Sequence, residues 1–299
     1  MSGSRKFVHA GWLALILWLP FAATAAERIT LEHDGLTLVG HLQSVSEPAD
    51  GVVLMLHGTL AHGRMEIMAT VQDLLAERGL NSLSVNLSYG IDGRDGMFEC
   101  DRPVTHGLDA HFAELQAWRA WLADQGYGPV TLLGHSRGGN QIARFYHEYG
   151  PGDVRALVLI APSTYDADRA AADYEAQTGM PLATALGQAE ELLRMEQPDT
   201  RLTGVRFLYC EELDVAPAAF LAYYRPEQAH DTPTVIDGVD IPALVIIGSE
   251  DDVVADLPER MAGLVDDANI ASVTIDGADH FFRDFFADDV ADAVVDFLD

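Results

Sequence analysis

Gly134-His135-Ser136-Arg137-Gly138 places one serine hydroxyl between two glycines. A G-x-S-x-G run suits a nucleophile on a sharp turn from strand to helix, where residues without a Cβ let the backbone pass close by. A serine hydroxyl is a poor nucleophile near neutral pH and needs a base within hydrogen-bond reach, itself oriented by a carboxylate. Two downstream segments, each opened by a glycine, hold the material for both. Gly248-Ser249-Glu250-Asp251-Asp252-Val253-Val254 offers three carboxylates, and Gly277-Ala278-Asp279-His280-Phe281-Phe282 offers an imidazole. The chemistry implied is acyl transfer, in which an oxyanion forms and must meet preorganised donors.

The elements around these residues read as alternating strands and helices. Val52–Leu56, Val130–Leu133, Ala156–Ala161 and Ala243–Ile247 are continuously apolar, as strands buried on both faces are. Leu36–Leu42 alternates apolar and polar residues and is predicted as a half-exposed edge strand, with Ser82–Leu87 as a further strand and Ala271–Ile275 as the last, buried one. Helical spacing runs through Met65–Arg78, through Leu108, Phe112, Leu115, Trp118 and Leu122, through Ile142–Tyr146, and through Asp284–Leu298. The alternation predicts an α/β fold, a mainly parallel, doubly wound sheet with helices on both faces. Residues 162–242 break the rhythm. They contain helical patterns at Leu186–Met195 and Ala216–Tyr224 and no convincing pair of buried strands, which predicts a helical cap over the carboxyl edge of the sheet.

On Leu56-His57-Gly58-Thr59, Gly134–Gly139, Gly248–Val254 and Gly277–Phe282, the chain resembles the α/β-hydrolase superfamily from about Val52 to the C-terminus, the cap excepted. The resemblance implies the order serine, acid, histidine. It makes Ser136 the nucleophile, His280 the base in a G-x-x-H turn, and Asp251 the acid, three residues after Gly248, with Asp252 and then Glu250 as alternatives. It also implies an oxyanion hole built from the backbone N–H of Arg137 and of Thr59, with Leu60 as the alternative to Thr59. His57 and His135 precede the acid, so neither fits the place of the base. The implied activity is serine hydrolysis of a carboxylic ester. The same parts also serve an amidase, peptidase or thioesterase, and the fold also hosts binding proteins without chemistry. The expected partner is a small-molecule acyl substrate, with no cofactor and no metal. The Arg137 guanidinium is expected at the surface or paired with an acid, the alternative being contact with a substrate carboxylate.

The spacing of His57 and His62 fits no standard zinc pattern, and Asp92, Asp95 and Asp101 lack the full EF-hand pattern and read as a polar loop. A net charge of −29 argues against nucleic acid and against anionic lipid, both of which select basic surfaces. Arg5 and Lys6, an apolar run from Trp12 to Ala23 and the small residues Ala23-Thr24-Ala25-Ala26 read as a signal peptide over residues 1–25. The run is short for a bilayer span of about 20 residues, although an uncleaved anchor is the rival reading. One α/β domain over 26–299, periplasmic or secreted, is therefore expected. Cys100 and Cys210 are then in a compartment where they can form a disulfide, the alternative being two buried thiols.

Overall fold

The computed structural model describes residues 25–195, 200–264 and 269–299. Apart from Ala25, the expected signal peptide lies outside them. The chain begins with β1 (Glu27–His33) and β2 (Leu36–Gln43), continues through β3 (Val52–Leu56), α1 (Glu66–Glu77) and β4 (Ser82–Val85), and then through α2 (Leu108–Asp124), β5 (Val130–His135), α3 (Arg137–Tyr149) and β6 (Val154–Ile160). Next come α4 (Ala167–Thr178), α5 (Leu182–Arg194), β7 (Leu202–Phe207), β8 (Cys210–Val215), α6 (Pro217–Tyr224) and α7 (Thr232–Ile236). The chain closes with β9 (Ala243–Gly248), α8 (Leu257–Met261), β10 (Ile270–Ile275) and α9 (Phe286–Leu298).

Eight strands form one sheet in the order β1-β2-β4-β3-β5-β6-β9-β10. From β4 to β10 every pairing is parallel, while β1 and β2 join antiparallel. The runs VVLML of β3 and ALVIIG of β9 are buried at every position, because helices cover both faces. Right-handed crossovers fix which helix goes where. The step from β3 to β4 runs one way along the sheet and the steps from β4 to β5 and from β5 to β6 run the other, so α1 lies on one face and α2 and α3 on the opposite one. α9 packs against α1, and α3 packs against α2. All parallel strands thus point their carboxyl ends to one edge, where ligands gather in open α/β sheets.

Three expectations are corrected. The edge strand is β1, with β2 one place inside it. The charged sequence ERITLEH hides β1 from a search for apolar runs, yet its main chain pairs with β2 over its whole length. β10 is the opposite edge and is largely exposed rather than buried. The cap between β6 and β9 is not purely helical, since β7 and β8 form an antiparallel hairpin in it. Register irregularities at Leu202/Val205 and Val205/Phe207 blur the two-residue alternation that marks a strand.

The hairpin is fastened to the core. Val104, in the segment before α2, bridges in parallel to Val215, its N–H donating to the Asp214 carbonyl at 3.0 Å. A disulfide joins Cys100 to Cys210 across 110 residues of sequence. Phe207, Phe220, Tyr223 and Tyr224 interlock at the base of the cap with centroid separations of 4.7 to 6.0 Å.

Candidate active site

β5 delivers Ser136. The strand ends at His135 and α3 begins at Arg137, so the serine alone makes the turn, at φ 56° and ψ −124°. Such a conformation is rare for a residue with a side chain and persists only where the surroundings enforce it. They do so here through close backbone approach. A Cβ on Gly138 would collide with the His57 carbonyl oxygen and lie 2.7 Å from that of Leu56, and one on Gly134 would lie 2.7 Å from the Gly139 Cα. The Ser136 carbonyl accepts from the N–H groups of Gly139 (2.9 Å) and Ser163 (3.1 Å), which holds the turn from both sides.

The loops after β9 and β10 bring the acid and the imidazole to the same edge. They are pinned together where the Glu250 N–H donates to the Ala278 carbonyl at 2.9 Å. His280 Nδ1 lies 2.8 Å from Asp251 Oδ2, and His280 Nε2 lies 2.9 Å from Ser136 Oγ. A carboxylate only accepts, so Nδ1 carries the proton toward Asp251 and Nε2 is left to accept from the serine hydroxyl. Asp251 Oδ1 accepts from the N–H groups of Val253 (2.8 Å) and Val254 (3.0 Å). Burial pushes the Asp251 pKa up, but the hydrogen bonds from His280, Val254 and Val253 outweigh it and hold the carboxyl below its usual range. Of the three carboxylates in this segment, Asp251 is the buried one that meets His280, while Asp252 and Glu250 are exposed.

Against His280 lies His135, fully buried, its Nε2 donating to the His280 carbonyl at 2.9 Å. Burial, and then the neighbouring His280, lower its pKa to about 4. It is a neutral support for the backbone of His280.

The loop after β3 supplies the other side of the site. His57 is buried under it. Its Nδ1 donates to the Gly58 carbonyl (2.8 Å), and its Nε2 accepts from the Leu87 N–H (3.2 Å) and from Arg94 Nη2 (3.1 Å). Burial first and Arg94 second press its pKa well below the ordinary value, so it too is neutral. Among the described residues, no backbone acceptor takes the N–H of Thr59 or of Arg137. Thr59 Oγ1 accepts from Arg137 Nε at 3.2 Å, which sets the two residues side by side next to Ser136.

Arg94 was not singled out by sequence reasoning. It is 7% exposed and spends its donors on main-chain carbonyls, those of Leu87 (2.5 Å), Ala61 (2.8 Å) and Gly96 (2.6 Å), besides His57. It therefore clamps the loop that carries Thr59. Its setting, Gly93-Arg94-Asp95-Gly96, reads as a polar turn, and no sequence signal announces a guanidinium whose partners are carbonyls. Asp92 and Asp95 are taken up locally. Asp92 accepts from the Thr37 N–H at 2.8 Å, and Asp95 pairs with Arg28 (2.8 Å) and His41 (2.7 Å). His62 lies in the loop that carries Thr59, its Nδ1 3.3 Å from the Arg64 N–H.

The expectation that Arg137 sits at the surface or pairs with an acid is corrected. Its side chain is half-buried under the cap, its Cζ 5.6 Å from the centroid of Tyr223, and among the described residues it has no carboxylate partner. α3 starts at this residue, so its side chain is directed by the same turn that presents Ser136.

The fold has many relatives among solved structures. Est1E of Butyrivibrio proteoclasticus, with ferulic acid bound, superposes with a TM-score of 0.64 at 20% identity over 90% of this chain and 97% of that one. The Pyrococcus furiosus esterase Pf2001 gives 0.61 at 18% identity, covering 95% and 94%, and a monoacylglycerol lipase from Paleococcus ferrophilus gives 0.59 at 14%, covering 87% and 98%. No curated protein sequence matches. No helix among the described residues is long and apolar enough to cross a membrane. A sequence model of the alpha/beta hydrolase family matches residues 53–297, from β3 to α9, and the chain belongs to that family.

Proposed function

We propose that the protein is an exported serine hydrolase that cleaves carboxylic esters through an acyl-enzyme. The observation that carries this reading is the unbroken hydrogen-bond chain from Asp251 through His280 to Ser136, laid beside two unengaged backbone N–H groups. Ser136 Oγ attacks the ester carbonyl carbon while its proton passes to His280 Nε2. The Thr59 and Arg137 N–H groups receive the oxyanion. The carbon–oxygen bond to the alcohol then breaks, and the alcohol leaves with the proton from Nε2. Water enters by the same route in reverse and releases the acid. Asp251 stays ionised throughout and stabilises the imidazolium.

Ester is the first substrate class because the structural relatives described above include an esterase and a monoacylglycerol lipase. A cavity of about 210 Å³ under the cap, below the usual range of ligand pockets, adjoins Ser136 through Arg137 and Ser163 and suits a small substrate group. Export rests on the n-region, apolar run and small residues of 1–25, and the Cys100–Cys210 disulfide is in keeping with an oxidising compartment. The decisive experiment is fluorophosphonate labelling followed by peptide mapping. The label is expected on Ser136, with hydrolysis by Ser136→Ala and His280→Ala reduced by about 10⁴-fold or more in folded protein, because triad members act as a unit. Labelling of a different serine, or activity within tenfold of the parent in Ser136→Ala, sinks the proposal. A folded protein that takes no label favours the reading as a binding module.

A further inference from the structure

The cavity of about 210 Å³ between cap and sheet edge is walled in part by Arg137, Ser163, Tyr165, Tyr223 and His230. It lies beside the nucleophile, since Arg137 follows Ser136 directly and the Ser163 N–H is bonded to the Ser136 carbonyl. Several of its polar groups are committed to protein partners. His230 Nδ1 accepts from Arg144 (3.2 Å) and its Nε2 donates to the Arg225 carbonyl (3.1 Å), while Thr164 and Arg169 both donate to Asp256. The Tyr223 hydroxyl is held by Gln141 and His111 at 3.2 Å each.

Arg137 is the half-buried cation in this wall, and it is largely unengaged. Only its Nε has a protein acceptor, Thr59 Oγ1, and among the described residues neither terminal nitrogen has one. Its Cζ lies over the Tyr223 ring, 5.6 Å from the centroid, and the residue lines the cavity. The planar fork of a guanidinium matches a carboxylate, which it can bind through two parallel hydrogen bonds. Two acids also line the cavity, Asp166 and Asp173, but both are exposed, and Asp166 is engaged in capping α4 through the Arg169 N–H at 2.8 Å. They form a solvated rim, whereas Arg137 is the inner charge.

We propose that Arg137 determines substrate specificity by receiving a carboxylate on the substrate, so that the preferred esters are anionic. The inference rests on the reading of Ser136 as nucleophile. One residue would then serve the substrate twice, its N–H toward the oxyanion and its guanidinium toward the carboxylate. The rest of the surface works against such a substrate, because a net charge of −29 repels anions at long range. A preference for an anionic ester therefore points to a local cation.

The test compares mono-4-nitrophenyl glutarate with its uncharged counterpart 4-nitrophenyl butyrate on the parent, Arg137→Gln and Arg137→Lys, each checked for folding by thermal melting. The parent is expected to favour the glutarate ester. Arg137→Gln should lower kcat/KM for it at least 30-fold more than for the butyrate, mostly through KM, and Arg137→Lys should recover part of the difference. A second measurement needs no turnover. Glutarate should slow fluorophosphonate labelling of Ser136 in the parent, and at least tenfold more should be needed in Arg137→Gln. Equal losses on the two esters, a parent that favours the butyrate, or glutarate protection that is absent or equal in parent and variant overturns the proposal. Failure of the underlying reading looks different, because Ser136 then takes no label with or without glutarate.

Discussion

The carboxyl edge of the sheet and the cap above it are assembled by different means. At the sheet edge, main-chain geometry fixes the functional groups. Ser136 sits on a single-residue turn, Asp251 is held by two amides of its own loop, and the loops of Asp251 and His280 are bonded backbone to backbone. In the cap, one main-chain bridge from Val104 to Val215 is joined by several side-chain ties. A disulfide, a group of interlocked aromatic rings and the Tyr209 hydroxyl, which lies 3.3 Å from the carbonyls of Leu60 and Phe98, fasten the hairpin to the core. Placement by the main chain demands particular residues at particular positions, glycine above all. Placement by side chains admits many solutions.

The largest effect that tests this contrast is local to the acid. Asp251→Asn should cost about 10⁴-fold in kcat, because an amide at this position favours the wrong imidazole tautomer. Asp252→Asn, one residue away but exposed, should stay within about threefold of the parent. Steady-state kinetics of the two variants in one assay decides the matter. If Asp252→Asn is the crippled one, the rigid loop does not define the site.

The same contrast explains what could be read from the sequence. The parallel strands were legible because burial on both faces leaves continuous apolar runs, as in β3 and β9. Ser136, Asp251 and His280 stood out because each follows a glycine-led turn after a strand. The cap hairpin was not legible, since Glu211, Glu212 and Asp214 face solvent and the register shifts blur its alternation. Nor was Arg94, whose partners are main-chain carbonyls common to every sequence. Cys100 and Cys210 suggested a link through their even number, the expected export and the expected placement of both segments above the carboxyl edge of the sheet. The neighbourhood of Arg137 was out of reach, because it depends on cap residues far downstream, from Ser163 to His230.

The next effect falls on the cap. The disulfide closes a loop of 110 residues, for which chain entropy gives up to roughly 4–5 kcal/mol. In Cys100→Ser/Cys210→Ser the thermal midpoint should drop by several degrees, while Ser136 keeps fluorophosphonate labelling within about threefold below the midpoint. Loss of labelling in the folded variant would mean that the cap also positions the triad, and the separation of the two regions would fail.

The smallest effect concerns acid, and it links the two regions. His135 against His280 and His111 under the cap, the latter bonded to the Tyr223 hydroxyl, are both fully buried, and burial lowers each pKa to about 4. In the unfolded chain an imidazole titrates near 6.5. Between these values the unfolded state binds more protons than the folded one, so stability falls as the pH falls through this window and is unaffected well above it. For a single histidine of this kind, going from pH 7 to pH 5 removes about 2 kcal/mol. His135→Asn cannot be protonated there. It should be less stable than the parent at pH 7, having lost the imidazole that donates to the His280 carbonyl, yet lose about 2 kcal/mol less on acidification. Urea denaturation of both proteins at the two pH values measures the difference. An identical acid loss in parent and variant would show that His135 titrates alike in the folded and unfolded chains, and that the neutral support against His280 is not maintained by burial.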